Sequence, residues 1–435
     1  MANEDGVTAL DAKALERILK VTRALARPTD TTTMLANVID AARSVLGADR
    51  GTVFLYDAVK EELVAKVATG EADLRVPADR GIVGECAKTR RVINVPDCYA
   101  DPRFNQEVDR KTGYHTRCLM TVPLVGHDDS LEGVLQVLNK ENGTFSDKDE
   151  RVATALAAQC AVALQRTRLL KDLVAKERME RELQVARSIQ MRVLPQVMPE
   201  IGGYEVSGWC RPADQTGGDI FDVLVEEDGR LVLLLGDATG HGIGPALSVT
   251  QVRAMLRMCS RFGVPLIDAA QHINDQLAED LSPNRFVTAF LGLLDPLAHS
   301  LDYLAAGQGP LLHYHAAEKR AEWLDSTTRP LGMLGGLPVG ETRSLILQPG
   351  DLFLVATDGI FECENPEEES FDEDRVAQVV AAQAAQPVSR IVDQLVEALD
   401  IFANGTVQAD DMTIVVLRRL QNGPIRPKNP ENAEF

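Results

Sequence analysis

Four aspartates stand at the edges of hydrophobic runs, each close to a glycine. Asp219 lies in Gly217-Gly218-Asp219-Ile220-Phe221-Asp222, and Asp237 follows the run Leu231–Leu235 in Gly236-Asp237-Ala238-Thr239-Gly240-His241-Gly242. Asp358 follows Leu352–Ala356 in Thr357-Asp358-Gly359, and Asp410-Asp411-Met412-Thr413 precedes the run Ile414–Leu417. Hard cations such as Mg²⁺ and Mn²⁺ take oxygen ligands, so a site for them is built from carboxylates, backbone carbonyls and water instead of His or Cys. Glycines beside the acids let backbone approach such ions closely. Two ions about 3.5 to 4 Å apart can share a hydroxide and neutralise a phosphoryl group during in-line attack, a chemistry that needs no nucleophilic side chain. A single Asp-Gly is most simply a turn. Four acids on four strand ends are less easily explained that way.

The elements that must hold these acids follow from periodicity. From residue 204 a pattern of short apolar strands, with helical stretches near Pro245–Phe262 and Asp374–Phe402, predicts an α+β domain over residues 199–421. The acidic segment Glu362–Asp374 reads as a mobile, solvated loop. Residues 166–198 run without Gly or Pro as far as Leu194, are dense in Lys, Arg and Glu, and predict a long exposed helix closed by Pro195 and Pro199. Met179, Leu183, Ala186, Gln190 and Val193 follow a 4-3-4-3 spacing, with Leu169, Leu170, Leu173 and Val174 upstream. That seam fits either a solvated connector or a parallel coiled coil that makes a homodimer. Before it, residues 15–165 open with two helices broken at Arg27-Pro28. They continue through strands at Gly51–Tyr56, Leu63–Val67, Val92–Val95, Leu119–Val125 and Leu131–Val137, then a helix from Ser146. Residues 1–14 and the Pro-rich 422–435 read as tails, the latter disordered.

In this order, Gly-Gly-Asp-x-x-Asp, Gly-Asp-Ala-Thr-Gly-His-Gly, Thr-Asp-Gly and Asp-Asp-Met-Thr resemble the SpoIIE/RsbU-type branch of the PPM (protein phosphatase 2C-like) family, over roughly Val185–Leu420. Glu182–Pro195, Phe286-Val-Thr288 and Ala306–Pro310 add to the likeness. The resemblance implies a β-sandwich flanked by helices, two Mn²⁺ or Mg²⁺ ions at one end, and hydrolysis of phosphoserine or phosphothreonine by a metal-bridging water. Carried over position by position, Asp237 bridges the metals with the Ala238 carbonyl helping, Asp358 and Asp410 hold one ion, and Asp219 serves the other, partly through water. Asp222 and Asp411 are second choices. Animal relatives place a histidine where Thr239 stands, which leaves His241 a doubtful general acid. Arg211 is an ordinary surface arginine before it is a phosphate fork. The resemblance also implies, as substrate, a phosphorylated protein of the STAS-domain anti-sigma-factor antagonist kind, although fold-level analogy names no partner.

The first half is similar to GAF domains of the kind that regulate cyclic-nucleotide phosphodiesterases, through Val76–Gly84, Ile93–Ala100 and Leu138-Asn-Lys140. The likeness implies a salt bridge between Lys140 and Asp149 that supports the pocket, and a ligand pocket at Val83, Asp109, Thr112 and Thr116. The expected aromatic-acid pair is replaced by Ala68-Thr69 and a pocket Glu by Gln136. A cyclic nucleotide, another small ligand and a purely structural dimerising role therefore stay open.

Bulk properties narrow the function classes. At 435 residues the chain holds more than one domain, and a composition of 45% hydrophobic and 25% charged residues is that of a folded protein. A net charge of −20 with scattered Lys and Arg argues against nucleic acid. No apolar run approaches the roughly 20 residues of a membrane span. The acidic first residues are unlike a signal peptide, so a cytoplasmic protein without membrane attachment is expected. Seven separated cysteines without a Cys-x-x-Cys pair read as reduced, mostly buried thiols. The expectation is an enzyme, a protein-serine/threonine phosphatase under a GAF sensor; the alternative is a non-catalytic ligand-sensing scaffold with a phosphatase-like domain.

Overall fold

The computed structural model describes residues 31–68, 75–240 and 242–421. The chain divides into two compact units, Met1–Glu177 and Arg178–Phe435. The expected N-terminal tail, the first of the two opening helices, Thr69, His241 and the tail from 422 lie outside the described residues.

The first unit is built on α1 (Thr31–Leu46), β1 (Ala48–Asp57), β2 (Glu62–Ala68), β3 (Arg75–Pro77), α2 (Gly81–Thr89), β4 (Ile93–Val95), α3 (Gln106–Thr112), β5 (Leu119–Val125) and β6 (Leu131–Lys140). The strands form one antiparallel sheet in the order β3-β2-β1-β6-β5-β4. Alternation sorts its two faces. Val53, Met120, Val122, Leu135 and Val137 pack under α1 and the start of the next helix, whereas Phe54, Leu63, Ala65 and Val134 pack under α2.

That next helix, α4 (Asp147–Val193), is a single 47-residue element. The closing helix of the first domain and the long linker helix, expected separately, are one, because nothing between Ser146 and Leu194 breaks a helix. Its start is a capping box: Ser146 N–H donates to Asp149 Oδ2 at 2.8 Å and the Asp149 N–H returns to Ser146 Oγ at 3.4 Å. Leu169, Leu170, Leu173, Val174, Met179, Val185 and Ile189 are exposed along it. The C-terminal part of the expected 4-3-4-3 seam is not open: Gln190 is buried, and Met191 and Val193 pack on the core of the second unit.

The second unit is a two-sheet sandwich. Its strands are β7 (Tyr204–Arg211), β8 (Asp219–Val225), β9 (Leu231–Ala238), β10 (Val287–Asp295), β11 (Ser300–Ala306), β12 (Leu311–His315), β13 (Arg320–Leu324), β14 (Arg343–Ile346), β15 (Leu352–Ala356) and β16 (Met412–Arg419). One sheet runs β14-β11-β10-β9-β8 and the other β13-β12-β15-β16-β7, all antiparallel. Helices α5 (Ile243–Arg261) and α6 (Leu266–Asp280) cover the first sheet; α7 (Asp358–Phe361), α8 (Asp372–Gln383) and α9 (Val388–Ala403) cover the second. β9 is buried on both faces, which is why it reads as an unbroken Leu-Val-Leu-Leu-Leu instead of alternating.

Three expectations need correction. The stretch Asp374–Phe402 is two helices, because Pro387 cannot donate within a helix and instead precedes α9. Helix α6 was not anticipated; its inward stripe of Ala270, Ile273 and Leu277 includes the polar Asn274, which donates to Leu334 O at 3.0 Å and dilutes the apolar period. The acidic stretch after Asp358 is solvated, as expected, but it contains a hydrogen-bonded turn and runs into α8 at Asp372. Asn365 Oδ1 accepts from the Glu367 and Glu369 N–H groups at 3.0 and 2.9 Å, while Cys363 and Phe371 are buried and Glu367, Glu368 and Glu369 face solvent.

Candidate active site

The sandwich brings the aspartate motifs to one end by strand pairing. Asp219 begins β8 and is directly opposite Asp237, the penultimate residue of β9, so both carboxylates leave the same face of the sheet. From the other sheet, Asp358 follows the end of β15 and Asp410-Asp411 precedes β16, which pairs with it. Gly359 packs so tightly here that a Cβ would lie 2.1 Å from Asp411 O and 3.3 Å from the Asp410 carbonyl carbon. Only a glycine lets the two segments meet. Gly218 does the same on the first sheet, where a Cβ would come within 2.7 Å of Ala238 O.

The five acids differ in role. Asp219 is buried, and its Oδ2 accepts from Thr357 Oγ1 at 2.8 Å, which links the two sheets at the site. Asp411 is buried and acts as a brace: its Oδ1 accepts from Ala213 N at 2.7 Å and its Oδ2 from Gly218 N. Asp358 and Asp410 are exposed and Asp237 is half-buried, so these three face the open side. Burial raises the carboxyl of Asp219 well above the ordinary value, and the charge of Asp237 adds to it. Asp237 is pushed up to about 7 by burial and then by Asp358, Asp410 and Asp411. The carboxyl of Asp358 is raised by desolvation at the crowded strand ends and by Asp410. Such mutual repulsion, with no salt bridge from a described Lys or Arg to Asp219, Asp237, Asp358 or Asp410, is what a divalent cation relieves. All-oxygen donors, a carbonyl brought close by a glycine and uncompensated negative charge fit Mg²⁺ or Mn²⁺.

Asp222, a second choice for the site, does not belong to it. Its carboxylate is buried against Arg257, whose Nη2 donates at 2.8 Å, and pairs with Arg253 at 2.9 Å. Thr239 exchanges hydrogen bonds with Phe286, its Oγ1 donating to Phe286 O and accepting from Phe286 N, both at 3.3 Å, so it holds the loop and moves no proton. Arg211 pairs with Asp400 at 2.7 Å. The supporting roles of four residues do not follow from the sequence, although each lies in a motif given above. Thr357 is one. Thr288 and Gln308 form a chain in which Thr288 Oγ1 lies 3.2 Å from Gln308 Oε1 and Gln308 Nε2 donates to Ala356 O at 2.8 Å. Gln190, at the end of α4, brackets Gly217 by donating to its carbonyl at 2.6 Å and accepting from its N–H at 3.1 Å. A polar residue at a seam position was the available signal.

In the first unit, Val83, Asp109, Thr112 and Thr116 all line one cavity of about 810 Å³. Asp109 is spoken for: it accepts from Thr116 N at 2.7 Å, Thr116 Oγ1 at 2.8 Å and Tyr99 Oη at 3.2 Å. Thr112 Oγ1 donates to Val108 O at 2.9 Å. These side chains shape the wall more than they offer free donors. Gln136 lines the cavity too, as do Arg50, stacked 3.8 Å over the Tyr114 ring, and Arg80. The expected Lys140–Asp149 bridge is present at 2.8 Å.

The SpoIIE family model (Stage II sporulation protein E) matches residues 227–420 and the GAF domain model residues 30–164. The chain joins a GAF domain to a SpoIIE-type, protein phosphatase 2C-like domain. The SpoIIE-type unit has the fold of the SiaA-PP2C domain of Pseudomonas aeruginosa, with 22% identity and a TM-score of 0.50 over 56% of this chain and 98% of that one. The chain is 25% identical over 281 residues to Protein IcfG of Synechocystis sp., covering 58% of this chain and 44% of the relative. It is 32% identical over 200 residues to Dual 3',5'-cyclic-AMP and -GMP phosphodiesterase 11 of Drosophila melanogaster, covering 41% of this chain and 14% of the relative. The chain thus spans less than half the length of either relative. Among the described residues no helix is long and apolar enough to cross a membrane.

Proposed function

We propose that the SpoIIE-type domain is a Mn²⁺- or Mg²⁺-dependent phosphatase for phosphoserine and phosphothreonine in a partner protein. The observation that carries this reading is the convergence of Asp219, Asp237, Asp358 and Asp410 from both sheets at one end, without a basic partner among the described residues. Asp237 and the Ala238 carbonyl would lie between two ions, Asp358 and Asp410 would hold one, and Asp219 would serve the other through water. When bound, the ions would activate water and offset phosphoryl charge. The chain's own residues fix the cradle: Thr357 aims Asp219, Asp411 holds the 213–218 loop, and Gly218 and Gly359 admit the backbone. The substrate best matching the family is a phosphorylated signalling protein such as a STAS-domain anti-sigma-factor antagonist. The GAF cavity would take a small organic anion, a cyclic nucleotide being one, because Arg50 and Arg80 line it without an ion-pair partner among the described residues. The exposed apolar stripe of α4 would pair with that of a second copy, and residues 166–198 would carry the ligand signal.

The test is phosphate release from a phosphoserine peptide by the full chain, without added metal and with Mn²⁺ or Mg²⁺. Metal-dependent turnover is the expected result. No turnover with either ion would leave the non-catalytic scaffold as the reading.

A further inference from the structure

A second group of metal-type donors lies on the same sandwich, away from the aspartates. His313 and His315 alternate on β12, so both rings leave one face, and their centroids are 3.9 Å apart. The register places Glu322 of β13 opposite His313, and Tyr314 opposite Leu352, which brings Asp351 beside His315. His313 Nε2 lies 3.2 Å from Asp351 Oδ2, and His315 Nε2 lies 2.8 Å from Glu322 Oε2. One donor atom from each of His313, His315 and Asp351 falls within 4.8 Å of the others, the one such trio found among the described residues. Asp351 precedes β15 and Asp358 follows it, so the two groups are separated by a strand length, roughly 20 Å.

We propose that His313, His315 and Asp351 form a binding site for one transition-metal dication of the Zn²⁺ class. Two imidazoles and a carboxylate suit Zn²⁺, Co²⁺ or Ni²⁺ and discriminate against Mg²⁺, the reverse of the all-oxygen catalytic end. His313 and Asp351 are 2% and 1% exposed, a fixed half of the site. Asp351 is oriented by the Ala316 N–H on Oδ1 and the Gln348 N–H on Oδ2, both at 2.9 Å, as outer contacts orient a ligating carboxylate. The half-buried His315 and Glu322 form the outer side of the site and the path from solvent. Bonds of about 2.0 to 2.1 Å place tetrahedral donors roughly 3.4 Å apart, so the trio must close by at most about 1.4 Å, within a rotamer adjustment of His315. Arg320, 3.3 Å from Glu322, holds that carboxylate at the rim, which leaves water as the fourth ligand. The ion would cross-link β12 to β15 and stiffen that edge of the sheet.

The test is titration of chelator-stripped full chain with Co²⁺ in saturating Mg²⁺, followed by visible absorption. The expected result is one equivalent giving the intense bands of a four-coordinate nitrogen–oxygen site, retained in Asp237→Asn and weakened more than about tenfold in His315→Ala. Equimolar Zn²⁺ should also raise the melting temperature of wild type and of Asp237→Asn but not of His315→Ala, whose metal-free melting should match wild type. Absence of the bands in wild type, a thiolate-to-cobalt band, or unchanged affinity in His315→Ala overturns the proposal. Because its readout is binding, it stands or falls separately from phosphatase activity.

Discussion

Gly218 and Gly236 flank the same pair of aspartates, one before Asp219 and one before Asp237, and alanine at each should have opposite consequences. A Cβ at Gly236 would meet Ile220 Cγ2 at 3.6 Å, an ordinary contact. At Gly218 it would meet Ala238 O at 2.7 Å and Pro245 Cβ at 3.3 Å. Neither glycine has a positive φ, so backbone strain does not enter. A carbon–oxygen contact relaxes to about 3.2 Å, so the Ala238 carbonyl must retreat by roughly half an ångström, several times the ~0.2 Å tolerance of a metal–ligand distance. Misplacement of this order costs up to about 10²-fold in turnover. Gly218→Ala should therefore need at least about tenfold more Mn²⁺ for half-maximal phosphopeptide hydrolysis and lose about ten- to a hundredfold in kcat/KM, while Gly236→Ala stays within about threefold. Circular dichroism and melting curves should show both variants folded. Wild-type metal dependence in Gly218→Ala would refute the placement of the Ala238 carbonyl at the ions.

Asp222→Ala leaves Arg253 and Arg257 without their buried carboxylate and should cost on the order of 3 kcal/mol in urea unfolding, the low end for a broken buried pair because Arg257 is a third exposed. Its Mn²⁺ requirement should be unchanged, and a shifted requirement would return Asp222 to the site. The ion-free fold should have an acid-favoured stability. Asp219, Asp237 and Asp358 have raised folded-state pKa values, so their contribution is complete below the unfolded value of 3.8 and is lost as pH rises through the folded value, about 7 for Asp237. In chelator the melting temperature should fall from pH 5 to pH 8 and Mn²⁺ should restore it at pH 8; a rise with pH would contradict the repulsion. Leu173→Glu with Val174→Glu, both on the exposed stripe of α4, should convert a dimeric mass in light scattering to a monomeric one, and a monomeric wild type would remove the helix pairing.

Strand ends are legible where an acid follows a fully apolar run, as at Asp237 and Asp358, and β5 and β15 have the bounds that their residues suggest. Long-range pairing was not legible. Asp222 looks like a site acid until Arg253 and Arg257 close on it from α5, and nothing local distinguishes it from Asp219. Gln190 reads as one more seam position because its partner, Gly217, lies across a loop. The Lys140–Asp149 bridge was visible through resemblance, whereas the internal saturation of Asp109 by Thr116 and Tyr99 appears only once α3 and β5 are in place. Cysteine usage followed composition: all seven are free, five of them buried.

The central claim is that the aspartates work through ions held between the sheets, and Asp237 is the acid at their middle. Steady-state release of phosphate from a phosphoserine peptide should be compared for wild type and Asp237→Asn across a Mn²⁺ titration, with melting curves to show that both are folded. Wild type should turn over only with metal, and Asp237→Asn should lose at least about 10²-fold at saturating Mn²⁺. Full turnover by a folded Asp237→Asn would contradict the account.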